Sequence, residues 1–467
     1  MKKTLKIIVL LSIASLIGYW GYTWYYNFAS LLGVIHKDAD SVIKIGIQDI
    51  KETLVLDAIT SPSYYYNNAS FKQKKKEKDT VEKKGVNFTP YNLVLFTVPK
   101  VQNTYFSILT IEDDNAFKNQ IKEYSKGLHQ KIDKEHNIHW LEHKKQHWAC
   151  AWNTEKIIIS FGVDNAYQKS KKVFIEVLDE GKVITSKENN WITALSNSNS
   201  HITFINTKGK TELQFKDGKA ILEGSLEIDE EDAYPKKVSY DKVPNAAVEF
   251  YWDGNFNRTK NRDQFITTWK KNTFLKKVNI NVPEVAELTN GFFYACVNGT
   301  TKQTDTIVTY GYDDNFNKIE QKTLQEKEVP SIILNLGREK QPLKNYLKEQ
   351  ELLTHNDIFK SIPLYHFYVE EDATATIFKT QKLKESTEQI TSSNFMNLFI
   401  DFNRAKETIQ IPQANRYFNL LNSLQISAQQ SSSSKVVLKG KIEGKIEEVN
   451  LLSQLFFALK KNNLQTK

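Results

Sequence analysis

The chain repeats itself, and the repetition limits the fold more than any single motif does. "ADSVIKIGI" (Ala39 to Ile47) resembles "NAAVEFYWD" (Asn245 to Asp253) at an offset of 206 residues. "LVLFTV" (Leu93 to Val98), a turn and a strand ending in "DDNAF" (Asp113 to Phe117) resemble "FFYACV" (Phe292 to Val297), a turn and a strand ending in "DDNF" (Asp313 to Phe316), at 199 to 200. "WNTEKIIISF" (Trp152 to Phe161) falls opposite "VEEDATATIF" (Val369 to Phe378) at 217. "LQFKDGKAILEGSLEI" (Leu213 to Ile228) matches "LQISAQQSSSSKVVLKGKIEG" (Leu424 to Gly444), the offset moving from 211 to 216 across a longer serine-rich turn. Matches in one order at similar offsets mark an internal duplication. The 467 residues suffice for two or three domains. The reading is two related modules, 31–235 and 243–467, joined near "DEEDAYPKKVSYDKVP" (Asp229 to Pro244).

Each module reads as α+β, with antiparallel strands and helices. Apolar/polar alternation marks strands in "SVIKIGI", "NTYFSILTI", "EKIIISF" and "KAILEGSLEI". Asp113-Asp114-Asn115, Asp164-Asn165 and Asp313-Asp314-Asn315 precede stretches that read as helical ("AFKNQIKEYSKGL", "AYQKSKKVFIEVL", "FNKIEQKTLQ"). They lack the central Gly and terminal Glu of a calcium loop, so they read as helix caps.

Lys2, Lys3 and Lys6 open the chain, and Ile7 to Tyr26 is free of Asp, Glu, Lys, Arg and His. Those twenty residues would span about 30 Å as a helix, the thickness of a bilayer's hydrocarbon core. Tyr19, Trp20, Tyr22, Trp24, Tyr25 and Tyr26 gather at the far end, where amphipathic rings favour the membrane interface. A cleaved signal peptide is the competing reading, but a small-residue cleavage site is hard to find. The expectation is a cytoplasmic tail at 1–6, an anchor at 7–26 and the bulk of the chain outside the cytoplasm.

The net charge of +8 is a local matter. Lys72 to Lys84 carries seven lysines against three acids, half of that total, and reads as a solvated loop. Arginine, the preferred residue for bidentate phosphate and base contacts, occurs five times, which argues against a nucleic-acid partner. Cys150 and Cys296 each sit in a strand-like apolar run, read as buried thiols, with a single long-range bridge as the alternative.

"KEHNIHWLEHKKQHWACAW" (Lys134 to Trp152) holds four of the nine histidines, His136, His139, His143 and His147. It reads as two strands around a "KKQ" turn. In a strand His139 and His143 stand about 13 Å apart, too far to share an ion, since each ring nitrogen must lie about 2 Å from it. Only His143 and His147, across the turn, are close enough, and Glu142 is the one carboxylate nearby. No metal, cofactor or catalytic residue is assigned. The chain has no G-x-S-x-G, H-E-x-x-H, Walker or G-x-G-x-x-G pattern. "SPSYYYNNAS" (Ser61 to Ser70) mixes Tyr with Asn and Ser as adaptable binding loops do, but it reads first as an ordinary loop partly packed on the module, with a recognition surface as the alternative.

"GVIHKDADSVIKIGIQDIKETLVLDAI" (Gly33 to Ile59), with the duplicated layout, resembles bacterial cell-envelope proteins of domain-of-unknown-function families. In these a Pro/Lys-Asp-Ala element leads into a strand and helix, and His36 stands where Pro is common. The resemblance implies location and architecture only, a single-pass inner-membrane protein with a duplicated periplasmic α+β region, since these families carry no assigned activity. The Lys-, Asn- and Ile-rich composition suits an AT-rich bacterium. The leading expectation is a non-enzymatic structural or interaction component of the envelope, with other envelope proteins as partners. A carrier or sensor of an apolar, lipid-like ligand comes second, and a metal-dependent enzyme third.

Overall fold

A computed structural model describes residues 21–68, 85–135, 138–162, 166–312, 316, 318–339, 341–362, 364–381, 386–409 and 418–465. The fold is α+β, with its strands paired antiparallel. The chain divides into two compact units, Met1–Phe215 and Lys216–Lys467. The division precedes the segment 229–244, within which Val238–Lys242 is a strand of unit 2.

Unit 1 begins with helix α1 (residues 21–29), then β1 (Ser41–Gly46), α2 (Ile47–Thr60) and α3 (Pro62–Asn68). It continues through β2 (Asn92–Thr97), β3 (Tyr105–Thr110), α4 (Asp114–Gly127), β4 (Asp133–Glu135), β5 (Ile138–His143), β6 (Trp148–Trp152) and β7 (Lys156–Phe161). It ends with α5 (Ala166–Leu178), α6 (Asn190–Ser196), β8 (Ile202–Asn206) and β9 (Gly209–Lys216). Across the sheet the order is β4-β5-β6-β7-β3-β2-β1-β8-β9. Alternation gives the sheet two apolar faces. Phe96, Phe106 and Ile158 pack with Phe174 of α5 and Leu195 of α6 on one. Leu141, Cys150 and Trp152 pack with Phe117 of α4 on the other. Asp113 caps α4, accepting a hydrogen bond from the Ala116 N–H at 2.9 Å. Asp164, Asn165 and Asp313 to Asn315 lie outside the described residues.

No helix among the described residues is long and apolar enough to cross a membrane. Of the expected anchor at 7–26, only 21–26 is described, as the start of α1. The end of α1 docks on unit 1: Asn27 Nδ2 donates to the Ser196 carbonyl at 3.0 Å, and Phe28 packs on the core.

Unit 2 opens with β10 (Lys219–Glu227), β11 (Val238–Lys242), β12 (Val248–Asp253) and three helices, α7 (Thr259–Trp269), α8 (Thr273–Lys277) and α9 (Val282–Leu288). Then come β13 (Thr289–Tyr312), β14 (Lys318–Arg338), α10 (Leu343–Glu349), β15 (Tyr368–Glu371), β16 (Ala375–Lys379), β17 (Glu388–Ser392) and β18 (Met396–Asp401). The last elements are α11 (Phe402–Thr408), β19 (Leu421–Ser432), β20 (Lys435–Gly444) and α12 (Leu451–Gln465). The sheet order is β15-β16-β14-β13-β12-β18-β19-β20-β10, and β11 pairs with β17 separately. Read outward from β12, β13-β14-β16-β15 on one side and β18-β19 on the other match β2-β3-β7-β6 and β8-β9 read outward from β1, and the outer strands β5-β4 and β20-β10 fall beyond the match.

At the β10–β20 seam, Lys219 faces Glu443, Glu223 faces Lys439 and Glu227 faces Lys435. On the opposite face Leu222 lies across from Gly440 and Leu438 across from Gly224. A Cβ on Gly440 would meet the Leu222 Cβ at 2.9 Å, so the bare glycine admits the leucine. The stretch "FNKIEQKTLQ", read as helical, begins β14 instead. From Thr300↔Pro330 to Tyr312↔Lys318 it pairs with β13 in a largely exposed two-stranded ribbon. Its large apolar residues, Phe316, Ile319 and Leu324, are all exposed, so they give a helix no face to bury, and long-range pairing decides the conformation.

Candidate functional site

An apolar hollow lies on one face of the unit 2 sheet. Phe293 and Ala295 of β13, Leu334 and Leu336 of β14 and Phe378 of β16 form a floor. Helices α7 to α9, inserted between β12 and β13, supply Phe265, Phe274, Leu275 and Val285, and α10 adds Leu343 and Leu347. These walls enclose a cavity of about 350 Å³. Among the described residues no charged side chain lines it, and the one hydroxyl is that of Tyr294. That oxygen accepts a hydrogen bond from the Val243 N–H at 3.0 Å and is thereby committed to the protein.

Local rules set the helical wall. Asn272 caps α8, its side chain accepting from the N–H groups of Phe274 and Leu275 at 3.0 and 3.1 Å. Pro283 sits in the first turn of α9, where no intrahelical donor is needed. Asn261 of α7 donates to the Gly254 carbonyl at 3.0 Å. An aromatic group stiffens this end: Trp252 stacks on Phe293 with centroids 5.5 Å apart and on Phe265 at 5.9 Å.

The other face of the same sheet holds the buried polar groups. Tyr240 donates to Glu249 Oε1 at 3.0 Å, Lys242 Nζ lies 2.8 Å from Glu249 Oε2, and Tyr251 donates to Ser392 Oγ at 2.6 Å. Burial and the neighbouring Glu249 carboxylate push the Tyr240 phenol far above its ordinary range, so it stays a neutral donor. Each of these groups has a partner, and the cluster ties β11 to the sheet.

Unit 1 brings together one set of metal-ligand types among the described residues, His36, Asp38 and Glu176. The sequence reading missed it because its members are 140 residues apart. Its chemistry does not suit a cation. His36 Nδ1 already accepts from the Asp38 N–H at 3.0 Å, and Nε2 faces Glu176 Oε2 at 3.2 Å. Lys182 Nζ stands 2.7 Å from Asp38 and 3.5 Å from Glu176, and Lys100 Nζ 3.4 and 3.7 Å from the same two. Two ammonium groups supply the positive charge that a metal would bring. Burial pulls the His36 pKa below its usual value, against the pull of Glu176, so the ring is neutral at pH 7.

The histidine-rich stretch folds as β5, a short turn at Lys144–Gln146, and β6. His143 pairs across the turn with Trp148 rather than His147. Its Nδ1 accepts from the Gln146 N–H at 3.1 Å, which caps the turn, and His147 takes the left-handed conformation at φ 54° that reverses the chain. His139 stacks against Trp152 at 5.9 Å, and His136 lies outside the described residues. Cys150 and Cys296 are buried thiols, one in each unit. Of "SPSYYYNNAS", the tyrosines are on α3, where Tyr65 donates to the Leu54 carbonyl at 2.8 Å and Tyr66 is exposed. The cavity itself went unseen in the sequence. Its clearest trace there is 265–285, where nine large apolar residues recur without a strand-like alternation. No family model, curated protein or solved structure matches the chain.

Proposed function

We propose that this chain is a membrane-anchored, extracytoplasmic binding protein that holds an apolar, lipid-like ligand in unit 2. The observation that carries the reading is a cavity of about 350 Å³ with no charged lining residue. Ligand sites are concave, mainly apolar and about 300 to 1,000 Å³ in volume. The absence of a polar anchor in the lining selects a hydrocarbon portion, such as an acyl chain, over a sugar, nucleotide or peptide. Each buried methylene contributes about 0.8 kcal/mol of affinity. The exposed Tyr22, Trp24, Tyr25 and Tyr26 on α1, next to the apolar run that ends there, support a position at a membrane surface, where such ligands are found. The matching strand order of the two units supports descent from one duplicated module.

A structural or interaction component of the envelope is the second reading, and the exposed β13–β14 ribbon favours it. A metal-dependent enzyme has less support, because the best ligand set is occupied by lysines and a backbone donor.

The test is photolabelling of the full-length chain in phosphatidylcholine nanodiscs with palmitic acid carrying a diazirine on its tail. Labelled peptides from 265–295 and 334–347, suppressed by the cavity-filling Ala295→Leu, are the expected result. Labelling restricted to the N-terminal apolar run would leave only ordinary contact with bilayer lipid and would end the reading.

A further inference from the structure

Unit 1 has its own cavity, of about 360 Å³, and the same parts of the fold build it. Both cavities use the segment leading into the hairpin's first strand: Val86 and Phe88 before β2, Val282 and Val285 before β13. Both use the helix after its second strand, α4 in unit 1 and α10 in unit 2. Both use the strand that pairs with that second strand, β7 and β16. The turns before β7 and β16 fix which residues correspond. Asn153 accepts from the N–H groups of Glu155 and Lys156, and Asp372 from those of Thr374 and Ala375. Counting six residues on from each turn gives Ile159 and Phe378, and both line their cavities.

The unit 1 cavity differs in its edge. Cys150, Ile157 and Ile159 form the floor, and Phe117 and Ile121 of α4 a wall. Three large aromatics stand in water around the mouth, Phe88 at 65 %, Tyr124 at 47 % and Phe161 at 40 % exposure. A cluster of exposed rings around an apolar hollow is costly in water unless something uses it. Gln120 and Tyr124, one turn apart on α4, are the polar members of the lining. We infer that unit 1 is a second, open binding site for a single-chain amphiphile, its acyl chain on the Cys150–Ile157–Ile159 floor and its polar head at Gln120 and Tyr124.

This inference rests on the reading of unit 2 as a lipid-type site, and one experiment separates the two. The full-length chain in phosphatidylcholine nanodiscs is labelled with the diazirine palmitic acid, and labelled peptides are mapped. Two sets are expected, one in unit 2 and one at 117–124 and 148–161. Cys150→Phe, which fills the floor, and Ile121→Trp, which blocks the wall from a half-buried position at the core's edge, should each reduce the unit 1 set about tenfold or more and spare the unit 2 set. Label in unit 2 alone overturns the second site and leaves the first standing. Label on unit 1 that neither variant reduces marks adsorption to exposed rings and also overturns it. Label on unit 1 alone, sensitive to both variants, keeps the open site and removes the unit 2 reading.

Discussion

Backbone donors fix the protonation state of two histidines in unit 1. His36 Nδ1 accepts from the Asp38 N–H, and His201 Nδ1 accepts from the Phe215 N–H at 3.2 Å while its Nε2 meets Thr53 Oγ1 at 2.7 Å. A proton on either Nδ1 would point at another proton, and burial further lowers the pKa of both rings and of His139. In the unfolded chain imidazoles take up protons near pH 6.5. In the folded chain they do so only at lower pH, so between these limits the unfolded state binds more protons and stability is lost as the pH is lowered. The thermal midpoint of the detergent-solubilised chain should hold steady above pH 6.5 and drop between there and pH 5. His201→Gln should make that drop shallower, and an identical pH profile for the two proteins would refute the assignment for His201.

Elements were legible wherever one strand of a pattern carried its own signal. "SVIKIGI" folds as β1, and the two strands around "KKQ" fold as β5 and β6. Register was harder. The sequence offset of 206 matches Val42 with Val248, yet the buried residues are Val42 and Lys44 in β1 but Glu249 and Tyr251 in β12. An offset of 207 brings these into line, because a slip of one residue sends every side chain to the opposite face. The cavity was illegible for a related reason. Its lining comes from strands and helices across unit 2, and no local period records which apolar residues fail to meet a partner. The element that closes it is short, so its cap matters. Asn272→Ala removes the acceptor of the Phe274 and Leu275 N–H groups and should cost about 1 kcal/mol, seen as faster amide exchange across 273–278 while β13 exchange is unchanged. Equal acceleration in β13 would mean that α8 is not an independent part of the wall.

At the scale of the whole molecule, the boundary drawn from sequence and the one drawn from packing differ by the placement of β10. By sequence this strand ends the first module; in the fold it completes the sheet of unit 2, where it pairs along β20 from Lys219↔Glu443 to Glu227↔Lys435. A fragment from Lys216 to Lys467 keeps the pairing along β20, whereas one from Asp229 to Lys467, which keeps β11 but lacks β10, exposes the long edge of β20 and should aggregate more readily. Size-exclusion chromatography of the two decides this, and equal behaviour would show that β10 is dispensable to unit 2. The seam has a further consequence. Glu223 and Lys439, Leu222 and Leu438, and Gly224 and Gly440 are each separated by the same 216 residues, so the two strands present the same face to each other with charges exchanged. A surface of that kind does not distinguish its own chain from a neighbour's. Two molecules that meet while β10 is undocked satisfy each seam by trading strands, which makes refolding sensitive to concentration and gives the fold an inbuilt route to a swapped dimer.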